Sequence, residues 1–243
     1  MSRKEDYENQ DTNKYLNLHL STDGLPLPDV NAQFIEFFHR MDYKWWRDVE
    51  PGDVVVDIGA CVGFFVAHAL DRKASKIYAI EPSRPHLKTL IRNVSDYFID
   101  HGKIPVIPIE AGIGSTANHF NNVFSEYDEF KKMSFLDLVV DYNIPSIDYL
   151  KIDCEGGEYG VFTELNMPYL TTNVKHIAVE FHLSCYPGAA KQWQKVRDNL
   201  LPQFKKVRWM DKKHMALAAD DKWLAAGDWS KCCAFMVYLT NEE

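Results

Sequence analysis

The chain has 243 residues, 46% hydrophobic and 26% charged, with a net charge of −8. Those values suit one folded α/β domain and exclude a disordered chain. The acidic balance argues against broad nucleic-acid binding, which draws on clustered Lys and Arg; the pairs Lys131-Lys132, Lys205-Lys206 and Lys212-Lys213 read as solvated faces.

The N-terminus, Met1-Ser2-Arg3-Lys4-Glu5-Asp6, is polar, and no later run is apolar for long enough to span a bilayer. The expected compartment is the cytoplasm, with no membrane partner. Residues 1–28 read as a polar tail and loop, and 29–243 as a single domain. Within it, Val30, Phe34, Phe37, Phe38 and Met41 recur at helical spacing, which predicts a helical lid over 29–50 ahead of a core over 51–243.

After Pro51-Gly52, Asp53 to Ile58 is a β-branched run of the buried parallel kind, followed by a helix with Val62, Phe65, Val66, Ala69 and Leu70 on one face. A second strand, Lys76 to Ile80, ends at Glu81-Pro82, and Ser83 caps a helix carrying Leu87, Leu90, Ile91, Val94 and Phe98. Further strands are predicted at Ile104 to Ile109, Ile147 to Asp153 and His176 to His182. Helices are predicted near Leu136 to Val140, at Glu158 to Leu165 and at Ala189 to Leu200. Phe204 to Met210 and Ala234 to Leu239 are strands with no strong helix between them. The whole predicts a doubly wound, mostly parallel seven-stranded α/β sheet with an antiparallel final strand.

Glycines between a first strand and its helix let backbone approach a ligand, and an acid at the end of the second strand, here Glu81, can accept from ribose hydroxyls. Gly59 and Gly63 do not make the G-x-G-x-x-G that a dinucleotide pyrophosphate needs. Asp57, Glu81, Asp153, Glu155 and Glu158 all fall at predicted C-terminal strand ends or just beyond, a rim that repels a pyrophosphate but accommodates the cationic sulfonium of S-adenosylmethionine. Asp57 ends the first strand and Asp153 the fourth, where strand order reverses in such sheets. The plainer alternative is that the glycines only permit close packing and Asp57 only caps the next helix.

The five cysteines, Cys61, Cys154, Cys185, Cys232 and Cys233, include no C-x-x-C and indicate neither a disulfide framework nor a zinc knuckle. Carboxylate neighbours make Cys154 a poor nucleophile, and it reads as packing.

Several motifs occur in order: Pro51-Gly52-Asp53 leading into VVVDIGACVGFF, AIEPSRPHLKTLIRNV, Phe135-Leu136-Asp137-Leu138, IDYLKIDCEGGEYGVF and Val179-Glu180-Phe181-His182. Together they resemble the FkbM-type family of class I, Rossmann-like S-adenosylmethionine-dependent methyltransferases, over roughly residues 43–183. The resemblance implies that Asp57, Gly59, Ala60 and Gly63 line the methionine side of the cofactor and that Glu81, with Pro82, holds the ribose. The resemblance also implies that the segment Lys151 to Glu158 is the floor of the reaction site, with Asp153 bordering the cofactor. The family usually has Asn where this chain has Cys61. The implied reaction is O-methylation of a hydroxyl on a small molecule or glycan; N-methylation, methylation of a macromolecule and a non-catalytic cofactor-binding module are the alternatives.

A hydroxyl acceptor benefits from a base, and the candidates at that edge are His182, Asp153, Glu155 and Glu158. A strand-end hydrogen bond for His182, and helix N-terminal charge for Glu155 and Glu158, are the structural alternatives. Clustered carboxylates also suit Mg2+, but nothing fixes a ligand count and no metal is assigned. Among aromatics near the pocket, Trp223 and Trp229 are expected to touch the acceptor; Tyr43 is a further candidate, and Trp45 and Trp46 read as core under the lid.

Overall fold

The computed structural model describes residues 42–44, 46–101, 105–114, 130–183, 188–211, 216–217 and 234–242. An eight-stranded sheet organises them, with strand order β3-β2-β1-β6-β7-β10-β8-β9. The strands are β1 (Val54–Ile58), β2 (Lys76–Ile80), β3 (Val106–Ile109), β6 (Ile147–Ile152), β7 (Val174–His182), β8 (Lys206–Asp211), β9 (Ala216–Leu217) and β10 (Ala234–Thr240). β1, β2, β3, β6 and β7 run parallel to one another. β10 lies between β7 and β8 and is antiparallel to both. The antiparallel final strand is as expected; the eighth strand is the two-residue β9, which pairs with β8. Two further two-residue strands, β4 (Gly112–Ile113) and β5 (Lys132–Met133), pair separately.

Side-chain alternation along the strands assigns the two faces. Val56, Ile58, Leu150, Ile152, Val179 and Phe181 enter one core with α3 (Phe135–Asp141), α5 (Met167–Asn173) and α6 (Ala189–Lys195). Val55, Ile77, Ala79, Tyr149, Ala178 and Tyr238 enter the other with α1 (Phe64–Asp71) and α2 (Arg84–His101). Helices on both faces make the sheet doubly wound. The fully buried Trp193 of α6 packs on Phe181 at 4.8 Å and Phe235 at 4.7 Å between ring centroids. Such pairs add about 0.5–1.5 kcal/mol each beyond the area they bury.

Local chemistry sets the element ends. Ser134 and Asp137 cap α3 reciprocally, the Ser134 Oγ accepting from Asp137 N at 3.1 Å and the Asp137 carboxylate from Ser134 N at 3.3 Å. The helix expected over Glu158 to Leu165 stops early, as α4 (Glu158–Val161). Asn166 Nδ2 donates to the carbonyls of Gly160 and Val161, which satisfies the end of α4, and Pro168 in the first turn of α5 starts a new helix. α6 continues through a π-helical turn, Val196–Leu200. Of the lid expected over 29–50, residues 42–44 form a turn and 46–50 an irregular stretch; the rest, Trp45 included, lies outside the described residues. Among the described residues, no helix is long and apolar enough to cross a membrane.

Candidate active site

The strand order reverses between β1 and β6, and the polar residues gather at the C-terminal ends of these strands. Asp57, Lys151 and Glu180 fall on the α1/α2 face by alternation, one residue from core side chains on the opposite face. Asp57 is fully buried, and its Oδ1 lies 3.0 Å from Lys151 Nζ. Burial pushes the Asp57 carboxyl up to about 6, against the pull of the Lys151 ammonium. Burial works against the charge of Lys151, but Asp57 and then Asp153 outweigh it and raise its pKa. The pair is therefore ionised at neutral pH. Lys151 Nζ also donates to the Gly59 carbonyl at 2.6 Å and stands 3.9 Å from Asp153 Oδ2, so one ammonium ties the first turn to the end of β6.

The turn after β1 is built on left-handed backbone, with φ of 84° at Gly59, 48° at Cys61 and 92° at Gly63. A Cβ on Gly59 would overlap the Asp153 carbonyl, so glycine sets how closely β1 and β6 approach at the crevice. At Gly63 a Cβ would stand 2.9 Å from Leu90 Cγ, which holds α1 close to α2. Ala60 is buried between these glycines. Cys61 occupies a conformation that Asn tolerates better, which accounts physically for an Asn at this place in the family pattern.

Glu81 projects from the end of β2. Its Oε2 accepts from Cys61 N and its Oε1 from Ser83 N, both at 2.8 Å. A carboxylate has about four lone-pair sites, so a carboxylate held this way retains capacity for ribose hydroxyls. Pro82 follows it, half-buried, before α2. His86, on the first turn of α2, sits with Nδ1 3.9 Å from Cys61 Sγ and 3.7 Å from Glu81 Oε1; those two acceptors, with burial opposing, push its pKa up to about 10.

The second half of the site lies after β6. His182 ends β7 amid four carboxylates: Nε2 is 3.8 Å from Asp153 Oδ1, 3.4 Å from Glu155 Oε2 and 3.8 Å from Glu180 Oε1, while Nδ1 is 3.3 Å from Glu158 Oε1. Burial lowers its pKa, but the hydrogen bond and charge of Glu158, then Glu155 and Glu180, prevail and hold it at about 10. An imidazole already protonated at neutral pH cannot take a proton, which counts against His182 as the base. Glu158 is fully buried and committed to backbone, accepting from His182 N at 2.7 Å and Gly156 N at 2.8 Å. It folds the Glu155-Gly156 turn, left-handed at both residues, onto β7. Burial, then Glu158 and Asp153, raise the Cys154 thiol well above its ordinary range, in keeping with a packing role.

Asp153, Glu155 and His182 each offer one donor atom within 4.8 Å of the others. A divalent cation there would first have to displace the proton that the surrounding carboxylates hold on His182.

Three residues at this site carry more weight than their sequence context suggested. Lys151 and Glu180 lie within the quoted motifs, and their signal is spacing: Lys151 is two residues before Asp153 and Glu180 two before His182, the interval that shares a strand face. Tyr43 donates to Asp153 Oδ2 at 2.5 Å and approaches Glu180 Oε2 at 3.2 Å, a link between segments that no local pattern contains. Trp46 is half-buried against the α1/α2 core, with the Arg208 guanidinium 4.7 Å from its ring centroid, as its core reading expects. Trp223 and Trp229, like Cys185, Cys232 and Cys233, lie outside the described residues.

A doubly wound sheet with an antiparallel last strand, a glycine turn after β1, an acid closing β2 and an acidic edge at the strand reversal define the Rossmann-like class of S-adenosylmethionine-dependent methyltransferases. The chain belongs to the FkbM methyltransferase family: the family profile described as "Methyltransferase FkbM domain" matches residues 57–208. Among solved structures it is similar to Methyltransferase FkbM from Methylobacillus flagellatus KT, at 14% identity and TM-score 0.54, with 82% of this chain and 47% of that one covered. The chain thus spans about half the length of that protein. It also matches Aeropyrum pernix fibrillarin in complex with S-adenosyl-L-methionine (12% identity, 83% and 72% covered, TM-score 0.46). A third match is the N-terminal domain of human METTL16 in complex with SAH (11% identity, 93% and 78% covered, TM-score 0.47). At these identities the first likeness concerns fold alone, and the other two are too distant to carry an argument. No curated protein matches the sequence.

The residues present fit the cofactor. Asp57 is a buried carboxylate that, among the described residues, has Lys151 as its partner and accepts no backbone hydrogen bond; Glu81 is held at the end of β2 with acceptor capacity to spare.

Proposed function

We propose that the chain methylates a hydroxyl of a small molecule or glycan, with Asp153 as the base that receives the hydroxyl proton. S-adenosylmethionine, when bound, supplies an electrophilic methyl group on a sulfonium. Asp57, Gly59, Ala60 and Gly63 would hold its methionine side, Glu81 with Pro82 its ribose, and Asp153 would border both cofactor and acceptor. The observation that carries this reading is the position of Asp153. It follows directly on β6 at the strand reversal, partly exposed, with Lys151 on one side and His182 on the other.

The four candidate groups then divide the work. Asp153 faces the acceptor, and His182, charged, holds it and the neighbouring carboxylates in place. Glu158 fixes the turn, and Glu155, more than half exposed, is available to an acceptor hydroxyl. Closing Asp153 and an acceptor into one geometry supplies most of the rate of such a displacement, and the base adds about 10²–10⁴-fold. Trp223 and Trp229 remain the proposed acceptor contacts, and the acidic chain is proposed to take no nucleic acid.

Incubation with methyl-labelled S-adenosylmethionine and a panel of sugars, phenols and amines tests the reading. Label on oxygen, lost in Asp153→Asn, supports it. Label on nitrogen alone, or a fully active Asp153→Asn, overturns it; cofactor binding without transfer to any acceptor favours a non-catalytic module.

A further inference from the structure

Above Asp153 lies a tyrosine that the turn chemistry alone does not explain. Asp42 and Tyr43 are buried, and two other tyrosines hold their backbone: Tyr149 on β6 donates its hydroxyl to the Tyr43 carbonyl, and Tyr238 on β10 donates to the Asp42 carbonyl. These strands flank β7. In register between them stands Ala178, opposite both Lys151 and Tyr238, a small side chain buried in the same core as Tyr43. Phe65 of α1 packs edge-on to the Tyr43 ring at 6.1 Å. Seated in this way, the phenol has little freedom, and its hydroxyl reaches Asp153 Oδ2 at 2.5 Å and Glu180 Oε2 at 3.2 Å.

We propose that Tyr43 is a positioning residue of the site: the N-terminal turn delivers its hydroxyl across the ends of β6 and β7, fixing Asp153 Oδ2 so that Oδ1 is presented on the side of His182 and the acceptor. The proposal rests on the reading of Asp153 as the base. A phenol carries one proton, and the shorter contact shows that it serves Asp153; Glu180 borders the same oxygen from β7. A hydrogen bond given to a carboxylate favours its charged form, so Tyr43 also keeps the base ready to accept.

The other charged groups facing this carboxylate stay in place when the hydroxyl is removed. They are Lys151 on β6, 3.9 Å from Asp153 Oδ2 and 5.2 Å from the Tyr43 ring centroid, and His182 on β7. Glu180 lies on β7, Glu155 and Glu158 beyond β6, and Asp57 on β1. Tyr43→Phe therefore isolates the hydroxyl against a constant field.

The test is a carbon-13 NMR titration of the side-chain carboxyls in the full chain, with Asp153 assigned by the resonance missing from Asp153→Asn. In Tyr43→Phe the Asp153 midpoint rises by about one to two pH units, as expected for loss of a hydrogen bond to a charged group. An unchanged midpoint overturns the proposal. A tyrosine that only fills space would change the melting temperature and leave this titration alone. Should Tyr43→Phe fail to fold, Tyr149→Phe decides: it frees the Tyr43 carbonyl without touching a carboxylate, and it is expected to move the midpoint the same way, whereas no movement overturns the delivery by the turn. Failure of the enzymatic reading is seen separately, as wild-type protein that transfers no methyl group whatever its carboxyls do.

Discussion

Lys151 Nζ stands 3.0 Å from Asp57 Oδ1 with both side chains buried, and this single ion pair joins the two strands between which the cofactor site opens. Two buried charges are tolerated because each answers the other, and Lys151 has a further acceptor in the Gly59 carbonyl. Lys151→Met leaves the Asp57 charge without its cation and is expected to cost about 3–5 kcal/mol in urea unfolding at neutral pH. Pairing it with Asp57→Leu should recover most of that loss. A single substitution as stable as wild type would show that the pair contributes nothing to the fold.

Gly59 and Gly52 offer a controlled comparison. Both have positive φ, 84° and 94°, but a Cβ on Gly52 meets nothing within 4 Å, whereas one on Gly59 overlaps the Asp153 carbonyl. Gly52→Ala should cost about 1 kcal/mol, the backbone penalty alone. Gly59→Ala adds a clash that only separation of β1 from β6 relieves, and should cost roughly 2–4 kcal/mol and abolish cofactor binding. Equal melting temperatures for the two variants would contradict the close approach.

The charge on His182 makes stability depend on pH in a defined window. Its folded pKa, about 10, lies above the ordinary 6.5, so its contribution is complete below pH 6.5 and is lost as pH rises toward 10. The wild-type urea midpoint should fall across that range, and the midpoint of His182→Gln should fall less. Parallel curves for the two proteins would mean that the four surrounding carboxylates do not hold the proton.

Much of this site was legible in the sequence because parallel strands make position along the chain equivalent to position at an edge. Asp57, Glu81, Asp153 and His182 each lie within one residue of the end of an apolar-rich strand, and the alternation of strands with helices places all four ends together. Sequence reading did not capture contacts that need register across strands. The bond from Lys151 to Asp57 depends on the pairing of β6 with β1, and the approach of Tyr43 to Asp153 spans 110 positions. The role of His182 also changed for a reason that periodicity does not carry: four carboxylates from two stretches of chain converge on one imidazole and keep its proton. The early end of α4 follows from Asn166 reaching back to two carbonyls, a competition that an apolar pattern over Glu158 to Leu165 does not register.

The central claim is that the turn after β1 and the acid after β2 hold S-adenosylmethionine, and calorimetric titration of the full chain with that cofactor tests it most directly. Wild type should bind S-adenosylmethionine and not NAD. Glu81→Ala and Asp57→Ala should each bind about 10–100-fold more weakly, the cost of removing a charged hydrogen-bond acceptor. Cofactor affinity unchanged in both variants, or a preference for NAD, would contradict the account.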